Sequence, residues 1–380
     1  MSVTAARGFV AAGCHAGIKR RRFDMALVAT DDRRPVAAAA VFTRNKFVAP
    51  PVILSRRRLA ENGGRAAAII VNSGNANAGT GAAGLADAEA MAAETARALD
   101  VPAEQVLVCS TGIIGTPLPM DVILAATPKL ARKLSAGGAH DAARGILTTD
   151  HMAKETVVKG STFTLGGMAK GCGMIAPDMA TMLAFLTTDA EVSAEEMTAI
   201  LRDSSDRTFN TLNVDGATST NDSAMLLASG RRGRPDLSEF ADAVHEACEA
   251  LTLQMARDAE GMTKMVALSV TGAASDAEAR IAAKSIAENN LVKCSWYGGD
   301  PYWGRLLAAA GSAGIAFEPE KTAVAYGGTV VARGGANAEH DADAVAEHMK
   351  GERIEIEVAL GLGTGRAQVI GIDLGPGYIK

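Results

Sequence analysis

The sequence predicts an α/β sandwich, with helices in layers over sheets and no strict strand–helix repeat. Three observations carry that prediction. Short apolar runs lead into loops rich in glycine and asparagine: Ala66–Val71 before Asn72–Gly81, and Gln105–Cys109 before Ser110–Gly115 (STGIIG). Helix starts with capping signals crowd the second half. Near the end, Ile354, Ile356 and Val358 alternate with charged residues, the period of a half-exposed strand.

Each element follows from local chemistry. Ala66–Val71 reads as a buried strand, residues 82–99 as a helix rich in alanine and glutamate, and Gln105–Cys109 as a second strand. Ser193 with Glu196 has the spacing of a capping box, in which each side chain satisfies a free backbone donor of the other residue; Asp236 with Glu239 and Ser275 with Glu278 repeat it. Asp300–Pro301 reads as an N-cap and first-turn proline for a helix through Trp303 to Ala310. Met265–Val270 is an apolar run between helices. Gly361–Gly365 reads as a hairpin loop joining the Ile354 strand to Val369–Leu374, and Asp341 and Asp343 as helix caps. There is no internal repeat, and Gly230–Pro235 is a surface loop.

Composition bounds the function. With 380 residues, 48% hydrophobic and 21% charged, the chain can bury a large core in two or three domains or one large layered fold, and it is not a disordered protein. Acidic residues outnumber basic ones, 43 to 38, so nucleic acid is not expected as a partner. The basic runs Lys19–Arg22 and Arg56–Arg58 read as solvated surface. Aromatic residues are only 4%, which leaves few platforms for stacked bases. No run of apolar residues is long enough to span a membrane, and the N-terminus lacks the pattern of a secretory signal, so a cytoplasmic location is expected. The five cysteines are far apart with no CxxC pair, which suggests free thiols in a reducing compartment. The histidines are scattered without metal-ligand spacing, and there is no GxxxxGK[ST] string; no metal and no cofactor are expected.

One stretch stands apart, Gly166–Ala190 (GGMAKGCGMIAPDMATMLAFLTTDA). A glycine-rich approach passes Pro177 and Asp178, small Ala180 meets Thr181, and the apolar run Met182–Leu186 follows. Two readings are open for Thr181. It is a β-branched residue suited to a strand, or it is a nucleophile whose hydroxyl attacks the preceding carbonyl. Hydrolysis of the resulting ester would leave Thr181 as a new N-terminus, and its own α-amine would then act as base for its hydroxyl, with no histidine needed.

The segment AKGCGMIAPDMATMLAFLTTDA resembles the signature of the ornithine acetyltransferase family, the bifunctional glutamate N-acetyltransferase and amino-acid acetyltransferase of arginine biosynthesis. Members commonly read AKGSGMIxPNMATML; here Cys172 replaces the usual Ser and Asp178 the usual Asn. The resemblance extends over nearly the whole chain. It includes Gly8–Lys19, Ala38–Pro51 (AAAVFTRNKFVAPP), Val71–Gly81, Cys109–Gly115, Thr148–Asp150 (TTD) and Phe209–Ser223 (FNTLNVDGATSTNDS). Ala259–Lys264 (AEGMTK) and Gly298–Arg305 (GGDPYWGR) continue it, with Tyr302 in place of a commoner Asn.

The resemblance implies an αββα sandwich shared with self-processing aminopeptidases. It implies cleavage between Ala180 and Thr181 into an alpha segment, 1–180, and a beta segment, 181–380, assembled as a heterotetramer of two of each. Thr181 matches the nucleophile, and Thr111 and Gly112 the oxyanion-hole pair. Thr148, Lys170, Thr181 and Glu260 match substrate-binding positions; Lys170 suits an amino-acid carboxylate, and Glu260 suits the ammonium of ornithine. The reaction implied is ping-pong transfer of acetyl from N-acetylornithine to glutamate, and some members also accept acetyl-CoA. Family members usually continue past the GYIK-like end with a tail whose Asn and Ser or Thr contact substrate; this sequence stops at Lys380, which leaves those two contacts outside the residues in hand. Two rivals stand beside this reading. A self-processing aminopeptidase or amidohydrolase would use water in place of glutamate, commonly with a Ser nucleophile. A non-catalytic binding protein would be expected to have lost Thr181, Thr111 and Gly112.

Overall fold

The computed structural model describes residues 2–176 and 182–379. In chain order the first elements are β1 (Phe9–Cys14), β2 (Met25–Thr30), β3 (Val36–Phe42), α1 (Pro50–Glu61), β4 (Arg65–Ala66) and β5 (Ala68–Asn75). There follow α2 (Gly81–Leu99), β6 (Val106–Ile113), α3 (Met120–Arg132), α4 (Ala139–Gly145), β7 (Lys154–Lys159) and β8 (Thr164–Lys170). Next come β9 (Leu183–Thr188), α5 (Ala194–Arg207), β10 (Leu212–Asn213), β11 (Ser223–Ala228) and α6 (Leu237–Arg257). The remainder is β12 (Met265–Ala273), α7 (Asp276–Glu288), α8 (Asn290–Tyr297), α9 (Trp303–Gly311), β13 (Ala323–Tyr326), β14 (Thr329–Arg333), β15 (Ala336–Asn337), α10 (Ala342–Met349), β16 (Arg353–Ala359) and β17 (Gly365–Ile372). Among the described residues no helix is long and apolar enough to cross a membrane.

These elements form two compact units. The first comprises 1–172, 178–210 and 218–255; the second comprises 173–177, 211–217 and 256–380. The first unit holds two sheets, β1-β2-β5-β6 and β4-β3-β11-β9-β8-β7. Its layering follows from strand periodicity, because successive side chains point to opposite faces. In β5, Ala68 and Ile70 enter a core with Met91, Ala92 and Ala96 of α2 and Leu130 of α3. Ile69 and Val71 turn the other way, into a core with Met168, Leu183, Phe185, Met225 and Leu227 of the six-stranded sheet. Strand β6 alternates likewise, Val106 and Val108 toward the helices, Leu107 and Cys109 toward the facing sheet. On the far side of the six-stranded sheet, α5 packs on β3 and β11, and Leu251 of α6 comes up to Gly167 of β8. The first unit is thus layered helix–sheet–sheet–helix, as expected.

The second unit has one sheet, β10-β17-β12-β16-β13-β14-β15. Its core gathers Leu268 and Val270 of β12, Ile354, Ile356 and Val358 of β16, Ala282 and Ile286 of α7 and the fully buried Trp296 of α8. The alternation at 354–358 therefore marks a real strand with one buried face.

Capping chemistry holds where expected. Ser193 and Glu196 form a complete capping box at α5. The Ser275 hydroxyl accepts the Glu278 N–H, Asp236 accepts that of Glu239, and Asp341 that of Ala344. Four local expectations change. Strands β5 and β6 continue past their apolar runs into Asn75 and Ile113, because each supplies the other's ladder partners; the polar residues Asn72, Ser73, Ser110 and Thr111 are buried there. Gly361–Gly365 is not a hairpin loop. Strand β12 lies between β16 and β17, and the loop crosses its end, with Leu360 N–H on Thr271 O and Leu362 N–H on Gly272 O. Asp300 does not cap α9: its N–H closes α8 on Ser295 O, and Tyr302 holds the cap position without a side-chain bond. The basic runs are not all surface, since Arg58 is buried with its guanidinium on Val106 O at 2.6 Å, and Lys19 is half-buried.

Phe185 is fully buried between the two sheets of the first unit. Phe185→Ala should cost about 3–5 kcal/mol, read from urea denaturation at equilibrium. A loss under about 1 kcal/mol would mean that the two sheets do not share this core.

Candidate active site

The candidate site of the first unit is built where polar residues extend buried strands. Register places Ser73 opposite Thr111 and Gly74 opposite Gly112 on the parallel pair β5–β6. Thr111 is buried and Gly112 exposed. Gly112 has φ +133°, and a Cβ there would lie 2.2 Å from the carbonyl carbon of Gly74; no other residue fits without moving one strand. Asn221 fastens the neighbouring segment, its amide donating to Ala76 O at 2.6 Å and Ser110 O at 2.9 Å.

Lys170, the last residue of β8, is 2% exposed. Its Nζ lies 3.3 Å from Thr111 Oγ1, so two expected site residues from different sheets meet here. The next residue is held too, since Gly171 N–H donates to Asp150 Oδ1 at 2.7 Å. Asp150 is fully buried, accepts the N–H of Thr148 at 3.0 Å and takes Lys154 Nζ at 2.6 Å. Burial alone would push its carboxyl up, but Lys170 and Lys154, with the Lys154 and Thr148 hydrogen bonds, hold it well below the usual carboxylate range. One ionised carboxylate therefore ties Thr148 and the end of the Lys170 strand together.

Ala180 and Thr181, with Pro177 and Asp178, lie outside the described residues. The chain on either side is well anchored. Strands β8 and β9 are antiparallel neighbours with Lys170 opposite Leu183, and Met182 N–H donates to Asp222 Oδ1 at 2.9 Å. Asp222 is fully buried, and its Oδ2 has no hydrogen-bond partner among the described residues. Burial pushes this carboxyl up to about 8, against the lowering pull of the Met182 N–H, the Ser219 hydroxyl and Lys170. In the second unit, Asp215 accepts the N–H groups of Met174 at 2.5 Å and Ile175 at 3.1 Å, and the Tyr378 hydroxyl at 3.0 Å. Met174 keeps a left-handed φ of +56°, uncommon outside glycine.

Four of the expected residues, Thr111, Gly112, Thr148 and Lys170, belong to the first unit, and Glu260 to the second. Glu260 packs against the backbone of Gly173, where a Cβ would lie 2.5 Å from its Oε2. Sequence reasoning assigned no role to Asp150, Asn221 or Asp222. The available signal was that all three are polar residues inside long motifs, Asp150 closing TTD and Asn221–Asp222 near the end of FNTLNVDGATSTNDS. A groove of about 720 Å³ between α1, β3 and α5 holds none of the expected residues. Among the described residues, no three His, Cys, Asp or Glu side chains gather as a metal site requires.

The family model that matches this chain is that of the ArgJ family, over residues 10–380. The arginine biosynthesis bifunctional protein ArgJ of Thermobifida fusca is 45% identical over 381 residues, covering 100% of this chain and 98% of that protein. The protein of the same description from Listeria monocytogenes is 40% identical over 390 residues, covering 100% and 97%. A crystal structure of the arginine biosynthesis bifunctional protein ArgJ from Bacillus halodurans aligns at 46% identity over 47% of this chain and 95% of its own, with a TM-score of 0.44.

Asp222 yields a prediction with a definite sign. Folded, its carboxyl keeps a proton up to about pH 8, whereas unfolded it ionises near ~3.9. Its contribution to stability is fully present below the unfolded value and is lost as pH rises through the folded one. Asp222→Asn has no proton to lose. Its urea midpoint should therefore fall less steeply than the wild type's between about pH 5 and 8.5. Parallel pH profiles would show that the Asp222 carboxyl is ionised in the folded protein.

Proposed function

Because the chain belongs to the ArgJ family, we propose that it is an acetyltransferase of arginine biosynthesis, carrying acetyl from N-acetylornithine to glutamate through an acetyl ester on Thr181. The observation that carries this reading is the meeting of Lys170 Nζ with Thr111 Oγ1 beside Gly112, at the ends of strands from two facing sheets. That arrangement supplies an ammonium for an amino-acid carboxylate next to a strand end suited to an oxyanion.

The chain first cuts itself. The Thr181 hydroxyl attacks the Ala180 carbonyl, the amide nitrogen leaves as the Thr181 α-amine, and water hydrolyses the ester, giving segments 1–180 and 181–380. In turnover, the Thr181 α-amine takes the hydroxyl proton as the oxygen attacks the acetyl carbonyl. Thr111 and Gly112 stabilise the tetrahedral oxyanion. The intermediate collapses, the proton passes to the departing α-nitrogen of ornithine, and the acetyl ester remains. The α-amine of glutamate attacks that ester, regenerates the threonine hydroxyl and leaves as N-acetylglutamate. An amide is made from an amide, so no ATP is needed. Thr148 and Lys170 hold the shared amino-acid part of both substrates. The assembly is a heterotetramer of two segments of each kind, and the location is the cytoplasm.

Four measurements test this. Wild-type protein should run as two pieces on a denaturing gel, with Thr-Met-Leu as the second N-terminus, and Thr181→Ala should stay intact and inactive. Varying N-acetylornithine and glutamate together should give parallel double-reciprocal lines. Without glutamate, the 181–380 segment should carry the mass of one added acetyl group. Thr111→Ala should lower kcat by roughly 10²–10³ with little change in KM and should slow self-cleavage. Intact protein that turns over substrate would overturn the mechanism, and rapid release of acetate without an acceptor would favour the hydrolase.

A further inference from the structure

A ping-pong acetyltransferase must seat two amino acids in turn, and they differ at the side chain: ornithine ends in an ammonium, glutamate in a carboxylate. Resting on the acetyl-transfer reading above, the question is which group recognises that second carboxylate. The loop from Ala16 to Arg22 supplies a candidate. Fully buried Asp24 pins it by accepting the backbone N–H groups of Ala16 at 2.5 Å, Gly17 at 3.1 Å and Lys19 at 3.0 Å. The Lys19 side chain then crosses Gly74, the ladder partner of Gly112; a Cβ on Gly74 would lie 3.2 Å from Lys19 Cγ. Its Nζ reaches the carbonyl of Leu147 at 2.7 Å, one residue before Thr148. Arg22 extends the contact by donating to the Asp150 carbonyl at 2.9 Å.

Lys19 therefore lies between the Gly112 strand end and the Thr148 turn. An ammonium carries three donors, and Leu147 takes one. Burial lowers its pKa to about 8; Asp24 and Asp150 oppose this, while the cations Arg22 and Lys170 push the same way as burial. A half-buried ammonium near a second ammonium favours a ligand with two negative groups.

We propose that Lys19 is the acceptor-specificity residue, binding the side-chain carboxylate of glutamate while Lys170 binds the α-carboxylate common to both substrates. Lys19 has nothing to offer the cationic end of N-acetylornithine, so its loss should fall on one half-reaction.

The test compares Lys19→Met and Lys19→Arg in the full-length protein, with N-acetylornithine as donor and glutamate or glutamine as acceptor. In Lys19→Met the KM for glutamate should rise roughly 10-fold or more, as expected for a lost charged hydrogen bond. The KM for N-acetylornithine should rise far less, and the preference for glutamate over glutamine should collapse. Lys19→Arg should restore that preference. Equal losses with both acceptors, or a donor KM that rises as much as the acceptor KM, would make Lys19 a structural prop of the Thr148 turn and overturn the proposal. A wild-type protein that transfers no acetyl at all would overturn the acetyl-transfer reading instead.

Discussion

A carboxylate taken fully out of water must be met by charge and by hydrogen-bond donors, and the candidate site of the first unit is organised around that demand at Asp150. Its two oxygens bind the Lys154 ammonium and the N–H groups of Gly171 and Thr148. Those donors come from the turn that carries Thr148, from the start of β7 and from the residue after β8. Removing the carboxylate would break the buried ion pair with Lys154, a change that typically costs about 3–5 kcal/mol. Satisfying it fixes where Lys170 ends and where Thr148 begins. The candidate residues Thr148 and Lys170 of this unit are thus positioned by one electrostatic requirement.

Around that centre the architecture follows from small residues and two-sided strands. Strands β2, β5 and β6 bury both faces, one toward helices and one toward the facing sheet. Small side chains at the strand ends allow backbones to touch, and the approach of Gly74 to Gly112 is one consequence. Polar residues can then extend buried strands, because their backbone groups are satisfied in the ladder. Chemistry placed on such strands is held more rigidly than chemistry placed on loops.

Charge is distributed unevenly. The chain is acidic overall, yet Lys19, Arg22, Lys154 and Lys170 are all tied to the Leu147–Asp150 turn or to Asp150 itself by hydrogen bonds or charge. Asp222 differs: it is equally buried, burial pushes its carboxyl up to about 8, and Oδ1 takes the Met182 N–H while Oδ2 has no partner among the described residues. Two buried aspartates in one unit are thus shifted in opposite directions, because Lys170, Lys154 and their hydrogen bonds outweigh burial at Asp150, whereas the Met182 N–H, the Ser219 hydroxyl and Lys170 do not outweigh it at Asp222.

The sequence by itself determined the layered α/β class, the capped helices, the half-buried strand at Ile354–Val358 and, through long ordered motifs, the family. These rest on local periodicity and on motifs, which survive without knowledge of contacts. Tertiary structure decided the rest. Strands β5 and β6 outran their apolar runs because each completed the other's hydrogen bonds. The Gly361–Gly365 loop crosses β12 because that strand, distant in sequence, claims both β16 and β17 as partners. Thr111, Gly112, Thr148 and Lys170 were legible as candidates, whereas Asp150, Asp222 and Lys19 were not: an aspartate in a motif or a lysine in a basic run looks the same whether solvated or buried. Only the fold decides how much water each charge keeps, and that sets its pKa and its partners.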